Sequence, residues 1–215
     1  PDLASILNNL GAYYCISQNP EAEKTLTEAL TIRRQLAAQN PGVYLHQVAG
    51  TLSIVGNYYH SIKNLTEAEK ACDEALSIYR QLVDKNPEAF LQDMAGILNN
   101  MGTIYTEDQK ISEAEKVYIE ALDIRRQLAA QNPEAFLPDL SATLNDLGVL
   151  YKTMEKYPLA LKYYGEALTL RQNAIRNGQV HFFKEWTQVL QNISTVRDTS
   201  MNGKDYFHAT WAARL

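Results

Sequence analysis

A block of about 46 residues is written four times along this chain, and that period limits the fold more than any other feature. Gly11, Gly56, Gly102 and Gly148 head successive copies. Pro41, Pro87 and Pro133 keep the step, and so do Ala22, Ala68, Ala114 and Ala160. The text around the glycines is Leu7-Asn-Asn-Leu-Gly11, Leu98-Asn-Asn-Met-Gly102 and Leu144-Asn-Asp-Leu-Gly148, with Leu52-Ser-Ile-Val-Gly56 a looser copy. Units that recur at this period cannot bury their apolar faces alone and must stack on one another. A stack of this kind presents a long surface of equivalent positions, which points to binding before it points to chemistry.

The third copy shows what each unit is. Asn86-Pro87-Glu88 suits a helix start, because Asn caps and Pro is tolerated at the first helical position. Phe90, Met94, Leu98, Met101 and Tyr105 then recur at helical spacing. Glu107 to Lys110 is polar and reads as a turn. A second helix is expected from the capping box Ser112-Glu113-Ala114-Glu115, a device that Thr66-Glu67-Ala68-Glu69 repeats. Pro20 and Pro158 take the corresponding helix start in the first and fourth copies. Val117, Tyr118, Ala121, Leu122, Ile124 and Leu128 form the buried stripe of the second helix, and Asn132-Pro133 ends it. Gly102 and Ala114, twelve apart on the two helices, are expected to face each other and allow a close approach, as are Gly56 and Ala68, and Gly148 and Ala160.

Composition narrows the function. Hydrophobic residues make up 46% of the 215, enough for a substantial core, and the net charge of −5 shows no basic stripe for nucleic acid. No apolar run approaches the length of a membrane span. Cys15 and Cys72 lack disulfide or metal-ligand spacing, which suits a cytoplasmic protein. His46, His60, His181 and His208 are scattered without ligand spacing, and no phosphate-binding loop or dinucleotide motif occurs. The expectation is therefore no enzyme, no metal and no cofactor. Arg33-Arg34 and Arg125-Arg126 are placed on the solvated side of the second helix, paired with acids. With Pro1 falling inside a copy, the chain is expected to be a segment of a longer or trimmed protein.

Leu98, Met101, Gly102, Tyr105, Ala114, Tyr118 and Ala121 match in order the pattern of the tetratricopeptide repeat, which the chain resembles over about residues 2–177. The usual first-helix Trp is Leu here, and the proline expected five residues after the last Ala is absent. The phrasing looks like the kinesin-light-chain type and, more closely, like the long arrays of bacterial signalling proteins. The resemblance implies an all-α, right-handed α-solenoid of antiparallel helix pairs. Four repeats are expected at about 1–40, 41–86, 87–132 and 133–177. Residues 178–215 are expected to form a degenerate fifth pair or cap, with a first helix near 180–197 and a partner segment at 205–215. Trp186 is expected to be buried against the fourth repeat, and Tyr206, Phe207 and Trp211 offer an alternative docking surface.

In the family the first helices line a concave face, and the resemblance carries four inward positions per repeat onto this chain. They are Asn8, Ser53, Asn99 and Asn145, then Asn9, Ile54, Asn100 and Asp146. The third set is Ala12, Asn57, Thr103 and Val149, and the fourth Cys15, His60, Thr106 and Lys152. Asparagine both donates and accepts, so such a ladder can satisfy the backbone of an extended peptide. The candidate binding set is Asn8, Asn9, Asn57, His60, Asn99, Asn100, Thr103, Asn145, Asp146 and Lys152. The expected partner is a peptide or protein segment, with neither nucleic acid nor membrane. The alternatives are a self-associating structural array and the sensor region of a bacterial signalling NTPase or protease-like enzyme.

Overall fold

The computed structural model describes residues 2–176 and 183–199. Among these residues the chain is all-α, with nine helices and no strand. They are α1 (Asp2–Ile16), α2 (Ala22–Gln39), α3 (Pro41–Ser61), α4 (Leu65–Val83), α5 (Pro87–Glu107), α6 (Ile111–Gln131), α7 (Pro133–Thr153), α8 (Tyr157–Arg176) and α9 (Phe183–Thr199). The chain forms two compact units that meet in sequence between Lys110 and Ile111. In the first unit α1 packs on α2, α2 on α3, α3 on α4 and α4 on α5, while α1, α3 and α5 lie side by side as one layer. In the second, α6 packs on α7, α7 on α8 and α8 on α9, with α7 beside α9. Each unit is thus a stack of helix hairpins in which every second helix also covers the first helix of the next copy, the packing of an α-solenoid.

Local chemistry sets the helix ends. Asn40, Asn86 and Asn132 are N-caps with Pro at the first helical position, and only Asn132 adds a side-chain bond, accepting from the Ala135 amide at 3.3 Å. The capping boxes are displaced from their expected places. Asn64 rather than Thr66 caps α4, accepting from the Glu67 amide at 3.3 Å, and Ser112 already lies inside α6. Helix α2 begins at Ala22, after Pro20, while Pro158 is the second residue of α8. Each polar turn closes on a left-handed residue: Gln18, Lys63, Gln109 and Glu155 have φ between 54° and 62°. The next amide returns to the carbonyl of the repeat tyrosine, at 2.9 Å from Asn19 to Tyr14 and from Asn64 to Tyr59. No glycine occupies these positions, so each copy accepts a conformational cost of roughly 1 kcal/mol for a six-residue return bond that stops the helix.

The core follows the repeat. Leu98, Leu122, Leu144, Leu147 and Leu168 are at most 1% exposed, and the repeat alanines Ala22, Ala68, Ala114 and Ala160 are fully buried. The nearest partner of Gly11, Gly56 and Gly148, however, is not the repeat alanine of the second helix. A Cβ placed on Gly11 would meet Leu26 Cδ2 at 2.6 Å, one on Gly56 would meet Cys72 Sγ at 2.6 Å, and one on Gly148 would meet the Tyr164 ring at 2.4 Å. The glycine is a seat for the larger side chain one turn further along the second helix. The alanine lets the backbones close around it: the Ala68 carbonyl lies 3.5 Å from the Gly56 Cβ position. Helix α9 falls where the degenerate fifth first-helix is expected, with Val189, Ile193 and Val196 buried. The Trp186 side chain, His181, His208, and the segment with Tyr206, Phe207 and Trp211 lie outside the described residues.

Candidate functional site

The first-helix layer carries the expected binding positions, and many of its polar side chains bond to one another across neighbouring copies. In the first unit Asn8 is half-buried. Its Oδ1 accepts from Arg33 Nη1 at 2.9 Å and from Thr51 Oγ1 at 3.1 Å, so this carbonyl is committed to the junction between copies. Its Nδ2 lies 3.5 Å from Asn9 Oδ1, and Asn9 is exposed. Asn100 Nδ2 donates to Asn57 Oδ1 at 2.9 Å on the exposed face of α3 and α5. Asn99 and Thr103 are half-buried, and the Thr103 hydroxyl donates to the Asn99 carbonyl at 3.3 Å. At the far end of the same layer, His60 Nε2 lies 3.1 Å from Glu107 Oε1 and Lys63 Nζ donates to Glu107 Oε2 at 2.8 Å. The Lys63 hydrogen bond, with His60 beyond it, holds the Glu107 carboxyl below the ordinary carboxylate range.

In the second unit Asn192 of α9 donates to Asn145 Oδ1 of α7 at 2.9 Å, which repeats the amide-to-amide link with different partners. Asp146 and Lys152 are half-buried on α7. Asp146 acts electrostatically inward: after burial itself, its charge is the next cause that raises the Tyr164 hydroxyl. The structure thus brings Asn57 together with Asn100, and Asn145 with Asn192. It ties the Asn8 side-chain oxygen to a buried arginine, while the Asn8 amide nitrogen reaches Asn9 on the same helix.

That arginine corrects the sequence reading. Arg33 and Arg125 are not solvated; each is 8% exposed. Arg33 Nη1 donates to Thr51 Oγ1 at 2.6 Å and to the Gln47 carbonyl at 3.1 Å. Arg125 Nη1 donates to Thr143 Oγ1 and, at 2.8 Å, to the Asp139 carbonyl. Burial lowers both guanidinium pKa values, yet each group keeps its charge because the neighbouring oxygens accept from it. The second arginine of each pair behaves as expected: Arg34 binds both oxygens of Glu74, and Arg126 those of Glu166. The signal for the buried member was available. Arg33 and Thr51, like Arg125 and Thr143, are eighteen residues apart. A second recurrence joins Glu23 to Tyr59, whose hydroxyl donates at 2.9 Å, and Glu115 to Tyr151 at 2.6 Å, both thirty-six residues apart. These links fix how one copy sits on the next.

Among the described residues no three His, Cys, Asp or Glu side chains converge as a metal site, and no helix is long and apolar enough to cross a membrane. Cys72 is fully buried, and burial pushes its thiol up to about 12. His46 stands 6.1 Å from the Phe90 ring as a packing neighbour.

Comparison with known proteins agrees with this architecture. Tetratricopeptide repeat models match residues 48–88 and 93–173, together more than half of the chain. The chain belongs to the tetratricopeptide repeat family. No curated protein matches it in sequence. Among solved structures it is similar to BtubC (BKLC) from P. vanneervenii, at 22% identity and a TM-score of 0.59 over 88% of this chain and 73% of that one. It is also similar to a kinesin light chain-type protein of Podosopora anserina with nearly identical TPR-like repeats, at 11% identity and a TM-score of 0.66 over 97% and 96%. Aspartyl phosphate phosphatase F from Bacillus subtilis matches at 13% identity and a TM-score of 0.67, covering 97% of this chain and 55% of that one. At these identities the likeness is one of fold. Tetratricopeptide repeats as a family mediate protein–protein interaction, and that general role applies to this chain.

Proposed function

We propose that the first-helix face binds an extended or helical segment of a partner protein and performs no chemistry on it. The observation that carries this reading is the exposed bond from Asn100 to Asn57. It spends one donor and one acceptor and holds both amides in place. The Asn57 amide nitrogen and the Asn100 carbonyl oxygen keep capacity for one further donor and one further acceptor, the pair a peptide group needs. Asn9, Asn99 and Thr103 extend this polar face in the first unit, and His60 stands at its end. Asn145, Asp146 and Lys152 supply the equivalent face in the second. Asn8 enters as a positioning residue, because Arg33 and Thr51 hold its oxygen.

The test is calorimetric affinity for a captured partner, compared between the parent and the Asn57→Ala/Asn100→Ala variant, with thermal melting alongside. Each lost hydrogen bond is worth about 0.5–1.5 kcal/mol, so removing both amides should weaken binding about tenfold while the fold survives. Unchanged affinity in a folded variant moves the site off this face.

A further inference from the structure

Arg33 is a buried cation to which the described residues bring no carboxylate. It is 8% exposed, and its acceptors are neutral oxygens that all meet Nη1: Asn8 Oδ1 at 2.9 Å, the Gln47 carbonyl at 3.1 Å and Thr51 Oγ1 at 2.6 Å. The other edge of the guanidinium has no acceptor among the described residues. Nε is buried there without a hydrogen bond, and Nη2 beside it is not enclosed. Nε and Nη2 together form the fork with which an arginine holds a carboxylate through two parallel bonds.

The repeat supplies its own control. Arg125 occupies the same place ninety-two residues on, and Thr143 and the Asp139 carbonyl accept from it. Two acids flank it, and the charges of Asp139 and Asp146 oppose the effect of burial. Ninety-two residues earlier those two positions hold Gln47 and Ile54, and at Arg33 burial acts alone. No other carboxylate takes their place. Helix α3 contains no Asp or Glu, and α1 contains only Asp2, six residues before Asn8 and so about 9 Å away along the axis. On α2 itself Glu23 and Glu28 are exposed, and Glu23 accepts from Tyr59. Glu74 is bound by the neighbouring Arg34. A water on the open edge would accept a hydrogen bond, but it brings no charge to a group whose desolvation is costly.

We infer that the Nε–Nη2 edge of Arg33 is a subsite for one carboxylate, carried by the polypeptide segment that the first-helix face binds. Asn8 borders the subsite through its bond to Nη1, and Ile54 borders it as the equivalent of Asp146. The incoming carboxylate does for Arg33 what Asp139 and Asp146 do for Arg125. The first unit therefore prefers an acidic segment at this place, and the second unit, whose arginine has its own acids, does not. That the carrier is such a segment rests on the reading above; the carboxylate subsite does not.

Acetate is the probe, titrated into the full chain in place of chloride at constant ionic strength and followed by NMR at the arginine Nε–H signals. The Arg33 signal should shift and saturate while the Arg125 signal stays. Ile54→Asp, which places an acid where Asp146 stands beside Arg125, should abolish the shift. Ile54→Asn, of similar shape without the charge, should keep it. Acetate should also raise the melting temperature of the parent and of Ile54→Asn, but not of Ile54→Asp, because only a ligand of the folded chain stabilises it. N-acetyl-Gly-Glu-Gly-amide and N-acetyl-Gly-Gly-Gly then tell a side-chain carboxylate from a chain end, by which of them moves the Arg33 signal at the lower concentration. If neither does, the carrier is not a polypeptide. No saturable shift at Arg33, an equal shift at Arg125, or a shift that survives Ile54→Asp would overturn the subsite. The Asn57→Ala/Asn100→Ala variant separates the two readings: it should still bind acetate, and an unchanged partner affinity in it removes the face while the subsite stands.

Discussion

Arg33 on α2 donates to Thr51 on α3 at 2.6 Å, and the same pair returns ninety-two residues later as Arg125 and Thr143. The intervening junction uses Tyr79 and Ile97 at the equivalent positions, all four side chains of the first two pairs being buried. The two solutions are mutually exclusive: a guanidinium needs the hydroxyl, and an isoleucine offers it nothing. Arg33→Ala should therefore destabilise the chain by roughly 1.5–3 kcal/mol, the range for hydrogen bonds to a charged group. The double change Arg33→Tyr/Thr51→Ile, which imports the second junction into the first, should recover most of that loss. Denaturant unfolding of the three variants measures it, and a double variant no better than Arg33→Ala would refute the exchange.

The fold was legible because packing imposes it at every copy. Leucine recurs at the position of Leu98, and apolar side chains of varying size recur at those of Met101 and Tyr118, because helical packing needs an apolar face there. The polar junctions were not legible from composition, since Arg33 and Arg34 are neighbours of one type with opposite fates. Helical geometry turns consecutive residues about 100° apart, so Arg33 is buried against the next first helix while Arg34 stays exposed in its ion pair with Glu74 of the next second helix. The caps were misplaced for a related reason: Thr66-Glu67-Ala68-Glu69 satisfies the capping-box pattern, but the left-handed Lys63 brings the chain into the helix earlier, at Asn64. Of the binding face, the asparagine positions were visible and their mutual bonding was not. Asn57 and Asn100 occupy different registers within their copies, so no repeat pattern pairs them.

Acid should loosen the first unit through Glu107. Its folded pKa is depressed, chiefly by the Lys63 hydrogen bond, so its contribution is present above the unfolded carboxylate pKa and is lost as pH falls through the folded value. Lys63→Gln removes the main cause and raises that folded value. The variant should be less stable than the parent at neutral pH, and its deficit should shrink as the solution is acidified below the usual carboxylate range. Urea midpoints at a series of pH values report this, and a deficit constant with pH would contradict it.

Thiol chemistry should separate the two cysteines. Cys72 is fully buried in the seat opposite Gly56, and its thiol is pushed up to about 12 by burial and then by Asp73. Cys15 is only half-buried. A maleimide at neutral pH should label Cys15 first, and Cys72 only as the chain unfolds, since the thiolate is the reacting form. Mass spectrometry of peptides after timed labelling distinguishes them. Equal rates in native buffer would mean that α3 and α4 open readily around the glycine seat.

Glycine substitutions should divide by seat. At Gly148 a Cβ would stand 2.4 Å from the ring of Tyr164, a side chain with no exposed surface, so neither partner can yield cheaply. Overpacking of this kind costs about 1–3 kcal/mol, which sets the expected loss for Gly148→Ala. Gly96, inside α5, has nothing within 4 Å of its Cβ position. There alanine brings only the helix-propensity gain, about 0.5–1 kcal/mol over glycine. The same substitution should thus lower stability at one glycine and raise it at the other. Calorimetric melting of the two variants beside the parent gives the signs directly. A Gly148→Ala chain as stable as the parent would show that Tyr164 can leave its place, and the glycine would then lose its role as the seat for the second helix.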